Sequence, residues 1–164
     1  MAKAGGSSFD DLMIKPTREE EGPVMVKGCI NILLPKIMND EVRAVLGLGG
    51  TQGTSSCCDI MQALPYGLPK IMVSTMASGD TSGFVGIKDI TMMFSVSDIL
   101  KLNPFTRKIL ANAAAAACGM ASVSHQFKVE KSDKPLIGMS NLGVLTNGAM
   151  HAIEYIESLS LIHI

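Results

Sequence analysis

The sequence predicts an α/β fold, a Rossmann-like parallel sheet with flanking helices. Short apolar runs at 42–46, 70–74 and 90–94 alternate with longer segments of helical character, which is the order that crossover helices impose on a parallel sheet. A glycine-rich loop at 47–53 joins the first run to a helix, and such a loop presents backbone N–H groups to an anion. With 164 residues, the chain is long enough for an ordinary domain with a sizeable core.

The element boundaries follow from helix and turn signals. The pattern predicts a polar loop over 1–17 with a short helical turn near 10–13, and helices over 18–38, 54–64 and 103–121. Thr17 and Glu20 have the spacing of a capping box at the start of the first of these helices. Asn103 and Pro104 are the residue types favoured at the N-cap and first position of the last one.

A change in composition predicts a second unit. Residues 124–134 are polar and charged and are interpreted as a linker. A strand at 135–140, a glycine-containing loop and a helix then begin a second α/β subdomain, although one strand and one helix cannot bury a core alone. The predicted organisation is therefore a first subdomain over 1–123, a linker over 124–134, the start of a second subdomain over 135–158 and a non-native tail over 159–164.

Composition argues against several classes of function. The net charge of −1 argues against the basic surface that binds nucleic acid. With only seven aromatic residues, the chain also has few side chains on which bases could stack. The longest uncharged stretch, 109–127, carries polar side chains, so no membrane span is expected. Three scattered histidines and four cysteines without a C-x-x-C pair predict no structural metal. Small buried thiols and the lack of a signal pattern predict a cytoplasmic location.

The glycine loop differs from the common phosphate-binding motifs. Gln52 occupies the sixth position where the dinucleotide fingerprint needs glycine, and no lysine supplies a Walker A motif. The G-x-S-x-G pattern is also missing, so Ser55 is not a hydrolase nucleophile. The remaining interpretation is an anion nest over Gly49–Gly53, with Thr54 behind it; the alternative is a tight strand–helix turn that binds nothing.

A second loop, 74–83, follows the next predicted strand. Parallel strands carry their ligand sites at their carboxyl ends, so this loop should lie beside the first one. Its candidate binding residues are Ser74, Thr75, Ser78, Gly79, Asp80 and Thr81. Hydroxyl groups there would bind a phosphate or sugar. Asp80 would hold a metal or a ligand hydroxyl, or act as an acid or base; the alternative is a hydrophilic surface loop. Lys88 and Asp89 are interpreted as a solvated turn, and the methionines as core filler.

Six ordered motifs make the chain resemble one family over residues 1–158. They are Gly-Leu-Gly-Gly-x-x-Gly-Thr at 47–54, Leu-Pro-x-Gly-x-Pro-Lys at 64–70, Ser-Thr-x-Ala-Ser-Gly at 74–79, Val-Gly-x-Lys-Asp-Ile at 85–90, Ser-Val-x-Asp-Ile at 95–99 and Leu-Ala-Asn-Ala at 110–113. The family is the poorly characterised group typified by the tomato mosaic virus resistance protein. The resemblance implies two Rossmann-like halves, the first of which binds ATP, with or without Mg²⁺.

The resemblance also implies which residues hold the nucleotide. The family's phosphate loop falls on Gly50, Thr51, Gln52 and Gly53, and its helix-opening arginine falls on Arg18. Gln52 replaces a family glycine, which we expect to restrict a position of positive φ at a cost of about 1 kcal/mol. The family's first strand and a Gly-Thr-x-Asp-Thr-Lys loop are missing, so an exposed sheet edge and an incomplete site are expected.

Three functions remain open at this stage. The first is an ATP-binding domain that is part of a longer protein. The second is an enzyme of unknown reaction with its substrate loop at 74–83, and the third is a protein-interaction module, as in the plant branch of the family. Dimerisation is compatible with each of them, and the sequence does not decide it.

Overall fold

The structure is a computed structural model that describes residues 1–8, 10, 18–126 and 137–159. The chain divides into two compact units, Met1–Phe127 and Lys128–Ile164. The first unit contains α1 (Ala2–Gly5), α2 (Arg18–Met38), β1 (Val45–Gly49), α3 (Thr51–Ala63), β2 (Lys70–Ser74), α4 (Ser82–Val85), β3 (Thr91–Phe94) and α5 (Pro104–Gln126). No helix in these ranges is long and apolar enough to cross a membrane.

The first unit is built on a parallel sheet in the order β1-β2-β3. Every residue of β2 is buried, because this strand has a neighbour on each side and helices against it. Short strands alternating with helices therefore form the predicted α/β architecture, and β2 has the predicted bounds. Strand β1 begins three residues later than predicted and takes in Gly47 and Gly49, so the glycine loop is much shorter than expected.

The close approach of α3 to the sheet explains these two strand glycines. A Cβ on Gly47 would lie 2.7 Å from the Sδ atom of Met72 in β2 and 3.0 Å from the Cβ atom of Cys57 in α3. One on Gly49 would lie 2.7 Å from the Cα atom of Gly53 in α3, which is far below van der Waals contact. Glycine at 47 thus lets α3 lie close to the sheet, and glycine at 49 lets it start immediately after β1, at Thr51 rather than at the predicted Thr54.

The long helices agree with the sequence more closely. Helix α2 spans the predicted 18–38 with Pro23 and Pro35 inside it, while its predicted cap, Thr17, lies outside the described residues. Helix α5 starts as predicted, since Asn103 Oδ1 accepts hydrogen bonds from the backbone N–H groups of Phe105 and Thr106, each at 2.9 Å. It continues to Gln126, so the first three residues of the predicted linker are helical.

The N-terminal segment differs from the predicted loop. Residues 2–5 form α1, which packs on α2. A Cβ on Gly5 would collide with the backbone of Val24, and one on Gly28 would collide with that of Met1. Glycine at 5 and 28 therefore allows the backbones of α1 and α2 to approach each other closely. Of the predicted turn at 10–13, only Asp10 lies within the described residues.

Sulfur-containing side chains form the centre of the core. Cys58, Met61 and Met72 are buried together between α3 and the sheet, which confirms two of the methionines as core filler. Met76 is an exception, because it lies in the turn after β2 and is 39% exposed. The free thiols are also not all buried: Cys118 is exposed on α5.

The second unit is small in its described part. It contains a 3-10 turn at Gly143–Leu145 and a helix, α6, at Thr146–Ser158. The predicted strand is wrong over 137–140, where the backbone has no regular structure. A strand needs a paired neighbour, and the described residues of this unit contain none. Of the predicted tail at 159–164, only Leu159 is described.

Candidate functional site

The carboxyl ends of the three strands bring three loops together. Gly49 and Ser74 are partners in the sheet register, and the N–H of Thr75 donates to the Gly49 carbonyl at 3.2 Å. On the other side, the N–H of Ser95 donates to the Ser74 carbonyl at 3.1 Å. The predicted adjacency of the first two loops is confirmed. The loop after β3 also lies beside them, a position that the sequence does not predict.

The turn from β1 into α3 consists of a single residue, Gly50, which is the N-cap of the helix. The N–H of Thr54 closes the first helical turn on the Gly50 carbonyl at 2.7 Å. The N–H groups of Thr51, Gln52 and Gly53 donate to no residue that the structure describes. Helices leave these donors free at their N-termini, and the helix dipole makes this end attractive to anions.

The glycines in this segment have two different explanations. Gly47 is explained by the contacts with Met72 of β2 and Cys57 of α3, and Gly49 by the contact with Gly53 of α3. A Cβ on Gly50 would meet only Thr75 Oγ1 at 3.6 Å, and one on Gly53 only the Leu48 carbonyl at 3.5 Å, both ordinary contacts. None of the four has a positive φ. Packing and backbone conformation therefore leave Gly50 and Gly53 unexplained.

The expected strain at Gln52 is wrong. This residue lies in the first turn of α3, where its φ is not positive. The family glycine at this position is therefore not needed for backbone conformation, and Gln52 carries no penalty of that kind. Thr51 and Gln52 are both exposed at the start of the helix.

Buried hydroxyl groups connect the turn to β2. Thr54 Oγ1 and Ser74 Oγ are 2.6 Å apart and fully buried. Ser74 Oγ also accepts the N–H of Met76 at 2.9 Å, so it fixes the start of the second loop. Thr54 and Ser74 are thus supporting residues beneath the site, and neither hydroxyl is accessible to a ligand. Thr51 Oγ1 lies 3.3 Å from the Sδ atom of Met76.

The second loop places Ser78, Gly79 and Asp80 on the surface. Asp80 Oδ1 accepts the N–H of Ser82 at 2.9 Å at the start of α4. This backbone hydrogen bond, with a second one from the Ser82 side chain, lowers the pKa of Asp80. A carboxylate with a lowered pKa stays ionised at neutral pH, which makes Asp80 a poor general acid.

The third loop contains a strained residue. Val96 has φ +64°, a left-handed conformation that is unusual for a β-branched side chain. The hydrogen bonds of Ser95 on either side, from its N–H to Ser74 and from its Oγ to the Ser97 carbonyl at 2.8 Å, hold the segment. Ser97 Oγ is buried without a hydrogen-bond partner among the described residues. A sequence gives no signal for positive φ at a valine.

A groove lies next to the turn, between the N-terminal halves of α2 and α3. It encloses about 530 Å³. Its lining residues are Gly22, Pro23, Val26, Lys27 and Ile30 from α2 and Gln52, Ser55, Ser56 and Asp59 from α3. Arg18 is the first residue of α2, one helical turn before Gly22, and its side chain lies outside the described residues. The structure therefore places the Arg18 backbone at the groove end of α2.

The opposite edge of the sheet holds an ion pair between a buried lysine, Lys70, and an exposed carboxylate, Asp89. Lys70 is completely buried, and its Nζ donates to the carbonyls of Pro65 and Leu68 and to Asp89 Oδ1, at 2.7, 2.8 and 2.9 Å. Asp89 Oδ2 accepts the N–H of Gly67 at 2.8 Å. Asp89 is exposed, which agrees with the solvated turn predicted for Lys88 and Asp89. Its carboxylate also joins the turn before β2 to the start of β3, and the sequence does not predict that connection.

This ion pair affects the titration of Asp89. Burial opposes ionisation, but hydrogen bonds from Lys70 and from the Gly67 N–H, together with the charge of Lys70, outweigh it and lower the pKa. A cavity of about 690 Å³ lies at this same edge, where Lys88 Nζ sits 3.9 Å from the centre of the Tyr66 ring. It is lined by residues that precede β2 and β3 and by the end of α5, so it is separate from the glycine turn.

The two adjacent free cysteines of α3, Cys57 and Cys58, are poor nucleophiles. Burial raises the pKa of Cys57 and raises the pKa of Cys58 to about 11. Since the thiolate is the reactive form, both thiols are inert near neutral pH. The sequence interpretation of these two residues as structural thiols agrees with this environment.

Comparison with known proteins adds a family match. A model described as the N-terminal domain of an uncharacterised protein family, UPF0261, matches residues 1–126. A UPF0261 protein of Clostridium tetani is 45% identical over 158 residues, which cover 96% of this chain and 39% of the relative.

Two tomato proteins are also similar. The ToMV resistance protein Tm-1(GCR237) of Solanum lycopersicum is 38% identical over 115 residues, 67% of this chain and 15% of the relative. The ToMV susceptible protein tm-1(GCR26) is 38% identical over 109 residues, 65% of this chain and 14% of the relative. The chain thus spans well under half the length of these relatives.

Proposed function

Because this chain belongs to the UPF0261 family, we propose that it binds ATP at the turn between β1 and α3. The triphosphate would accept hydrogen bonds from the N–H groups of Thr51, Gln52 and Gly53. The observation that carries this proposal is that Gly50 and Gly53 have no structural reason to be glycine. A ligand that approaches the backbone closely supplies such a reason.

Other groups of the same edge would complete the site. Arg18 opens α2 at the adjoining groove, and a guanidinium is well suited to bidentate contact with phosphate. Ser78 and Gly79 lie in the neighbouring loop, and Asp80 remains a candidate for a contact to a ribose hydroxyl. The described residues contain no cluster of three or more metal ligands. We therefore assign Mg²⁺ to the nucleotide phosphates rather than to a separate protein site.

A glycine substitution gives a sharp test of this proposal. In Gly53→Ala, the added Cβ makes only ordinary contacts, and alanine favours a helix over glycine by about 1 kcal/mol. The variant should therefore be at least as stable as the wild type in thermal unfolding. It should nevertheless bind ATP–Mg²⁺ about tenfold or more weakly in isothermal titration, because the methyl group meets the phosphate.

The matched control is Gly119→Ala in α5, where an added Cβ meets nothing within 4 Å and is therefore tolerated as well. It brings the same gain in helix propensity at the other edge of the sheet and should leave ATP affinity unchanged. Absence of ATP binding by the wild-type chain and by a longer chain of relative-like length would reject the proposal. Equal affinity of the wild type and Gly53→Ala would reject the assigned turn.

The alternatives are less well supported. A role for Asp80 as a general acid conflicts with the lowered pKa of that carboxylate, and a role as a general base would be supported by an Asp80→Asn variant that loses turnover of a metabolite. An interaction module related to virus resistance gains nothing from the comparisons, because the resistant and susceptible tomato proteins are equally similar to this chain.

The proposal includes a cytoplasmic location, which four free cysteines support. Fractionation of cells that express the tagged protein would test it. Self-association stays a prediction, and the measurement that checks it is the mass of the chain in solution.

A further inference from the structure

We propose that the groove between α2 and α3 is the nucleoside subsite of the same centre. In this arrangement the phosphates bind at Thr51–Gly53 and the adenosine part of ATP lies in the groove. The inference rests on the proposed function and adds a location for the part of the ligand that the turn does not hold. It assigns functional roles to α2 and to the outer face of α3.

The first argument is continuity. Gln52 belongs both to the turn, where its N–H is free, and to the lining of the groove. From Gln52 the groove follows α3 to Asp59, seven residues or about 10 Å along the helix axis. A nucleotide bound by its phosphates at the turn can thus extend directly into the groove without crossing another element.

The second argument is the chemistry of the two walls. Pro23, Val26 and Ile30 recur on one face of α2 and form the apolar part of that wall, with Val26 and Ile30 half-buried. The exposed Lys27 adds a positive charge to the same wall. The facing wall on α3 carries hydroxyl groups and the Asp59 carboxylate. A purine has apolar faces and a polar edge, so it matches an aliphatic wall opposite a hydrogen-bonding one.

The third argument is that the polar groups of the groove are uncommitted. Within the described part of the chain, the side chains of Gln52, Ser55, Ser56 and Asp59 form no hydrogen bond to another residue. Asp59 accepts hydrogen bonds only, so it suits the amino group on a base edge or a ribose hydroxyl. The cavity, about 530 Å³, lies within the size range of small-molecule sites.

The experiment compares two probes on the full chain, ATP–Mg²⁺ and inorganic tripolyphosphate, by isothermal titration. Ser56→Phe places a ring in the groove, and it should weaken ATP binding about tenfold or more while leaving tripolyphosphate affinity within about twofold. Asp59→Asn is a second, nearly isosteric variant, and it should weaken ATP selectively by a smaller factor. Ser122→Phe, on the exposed surface of α5, is the matched control and should change neither affinity.

The outcomes separate the two proposals. Selective loss of ATP affinity in Ser56→Phe and Asp59→Asn supports the nucleoside subsite. Retention of wild-type ATP affinity by both variants overturns it while the phosphate turn stands, and so does an equal loss of both probes in the nearly isosteric Asp59→Asn. Failure of the wild type to bind either probe removes the proposed function and this inference with it.

Discussion

Individual glycines in the β1–α3 segment have separable tasks. Glycine at 49 allows α3 to lie against β1, because a Cβ there would meet the backbone of Gly53, whereas a Cβ on Gly50 or Gly53 would make only ordinary contacts. In the proposed function, Gly50 and Gly53 would leave room for the phosphates. The distinction could not be made from the sequence, because all of them appear there as one glycine-rich loop. It depends on which neighbouring atoms a Cβ would meet, and that is a property of the packed helix.

This distinction predicts opposite effects of two alanine substitutions. Gly49→Ala should reduce the free energy of unfolding by about 1–3 kcal/mol, because its Cβ would press on the backbone of Gly53, which cannot rotate away. Gly50→Ala should change it by less than about 0.5 kcal/mol. Urea unfolding followed by circular dichroism measures both, and equal losses would contradict the assignment.

Thr54 makes a second prediction at this scale. Its hydroxyl shares a buried 2.6 Å hydrogen bond with Ser74. Thr54→Val keeps the shape but leaves Ser74 with one partner fewer, so we expect a loss of about 1–3 kcal/mol of unfolding free energy. Thr54→Ser, which retains the hydroxyl, serves as the control and should retain more of the hydrogen bond's contribution. A Val variant as stable as the wild type would show that the bond contributes nothing.

Among the elements, the sequence predicts β2, α2 and the start of α5 correctly, whereas α5 ends at 126 rather than 121. Strand β1 begins three residues later than predicted, and α3 begins three residues earlier. The start of α5 is set by Asn103 and Pro104, and β2 by the apolar run at 70–74. Both signals are local in the sequence, so they do not depend on how the elements pack. The shift arose because glycine was interpreted as a loop residue, while its role here is to allow a helix to lie close to a strand. The predicted strand is absent over its described residues, 137–140, for a different reason, since a strand forms only beside a paired neighbour.

The ion pair between Lys70 and Asp89 connects the turn before β2 with the start of β3 and makes a pH prediction. The folded pKa of Asp89 lies below its ordinary value of 3.8, so the carboxylate stabilises the fold above that pH. This contribution is lost as the pH falls through the lowered pKa. Asp89→Asn should therefore melt at a lower temperature than the wild type at pH 7. The difference should shrink below about pH 4.

The comparison needs a carboxylate outside this network as a control. Asp98 is exposed, and its side chain accepts only the N–H of the next residue. Asp98→Asn should show no comparable narrowing of the melting difference between pH 7 and acid. A constant difference for Asp89→Asn across that range would disprove the electrostatic role of its carboxylate.

Across the whole first unit, the sequence motifs separate by location. The motifs at 47–54, 74–79 and 95–99 meet at the carboxyl edge of the sheet, where the candidate site lies. The motifs at 64–70 and 85–90 meet at the other edge around Lys70. The sequence predicts that the first two loops lie side by side, because it predicts a parallel sheet, but it assigns the motifs at 64–70, 85–90 and 95–99 to neither edge. The α2–α3 groove has no sequence signal, because it depends on how two helices pack.

The sequence predicts an exposed edge strand, and in the described sheet this strand is β1, which pairs only with β2. Leu46 and Leu48 are 40% and 45% exposed there. Replacing both with threonine should raise the onset temperature of aggregation, measured by light scattering, because it removes apolar surface from an edge strand. The unfolding free energy should fall by less than about 1 kcal/mol. An unchanged onset temperature would show that the chain does not aggregate through strand β1.

The burial of Lys70 also makes the acylation rate of its amine a measure of how often this region opens. An amine that is fully enclosed and donates three hydrogen bonds cannot be acylated until the turn before β2 opens, whereas the exposed Lys27, Lys101 and Lys108 react at once. The rate at which mass spectrometry detects acylation of Lys70 therefore counts the openings of this region. Slowing of that rate by ATP would show that a ligand at one edge of the sheet stabilises the other.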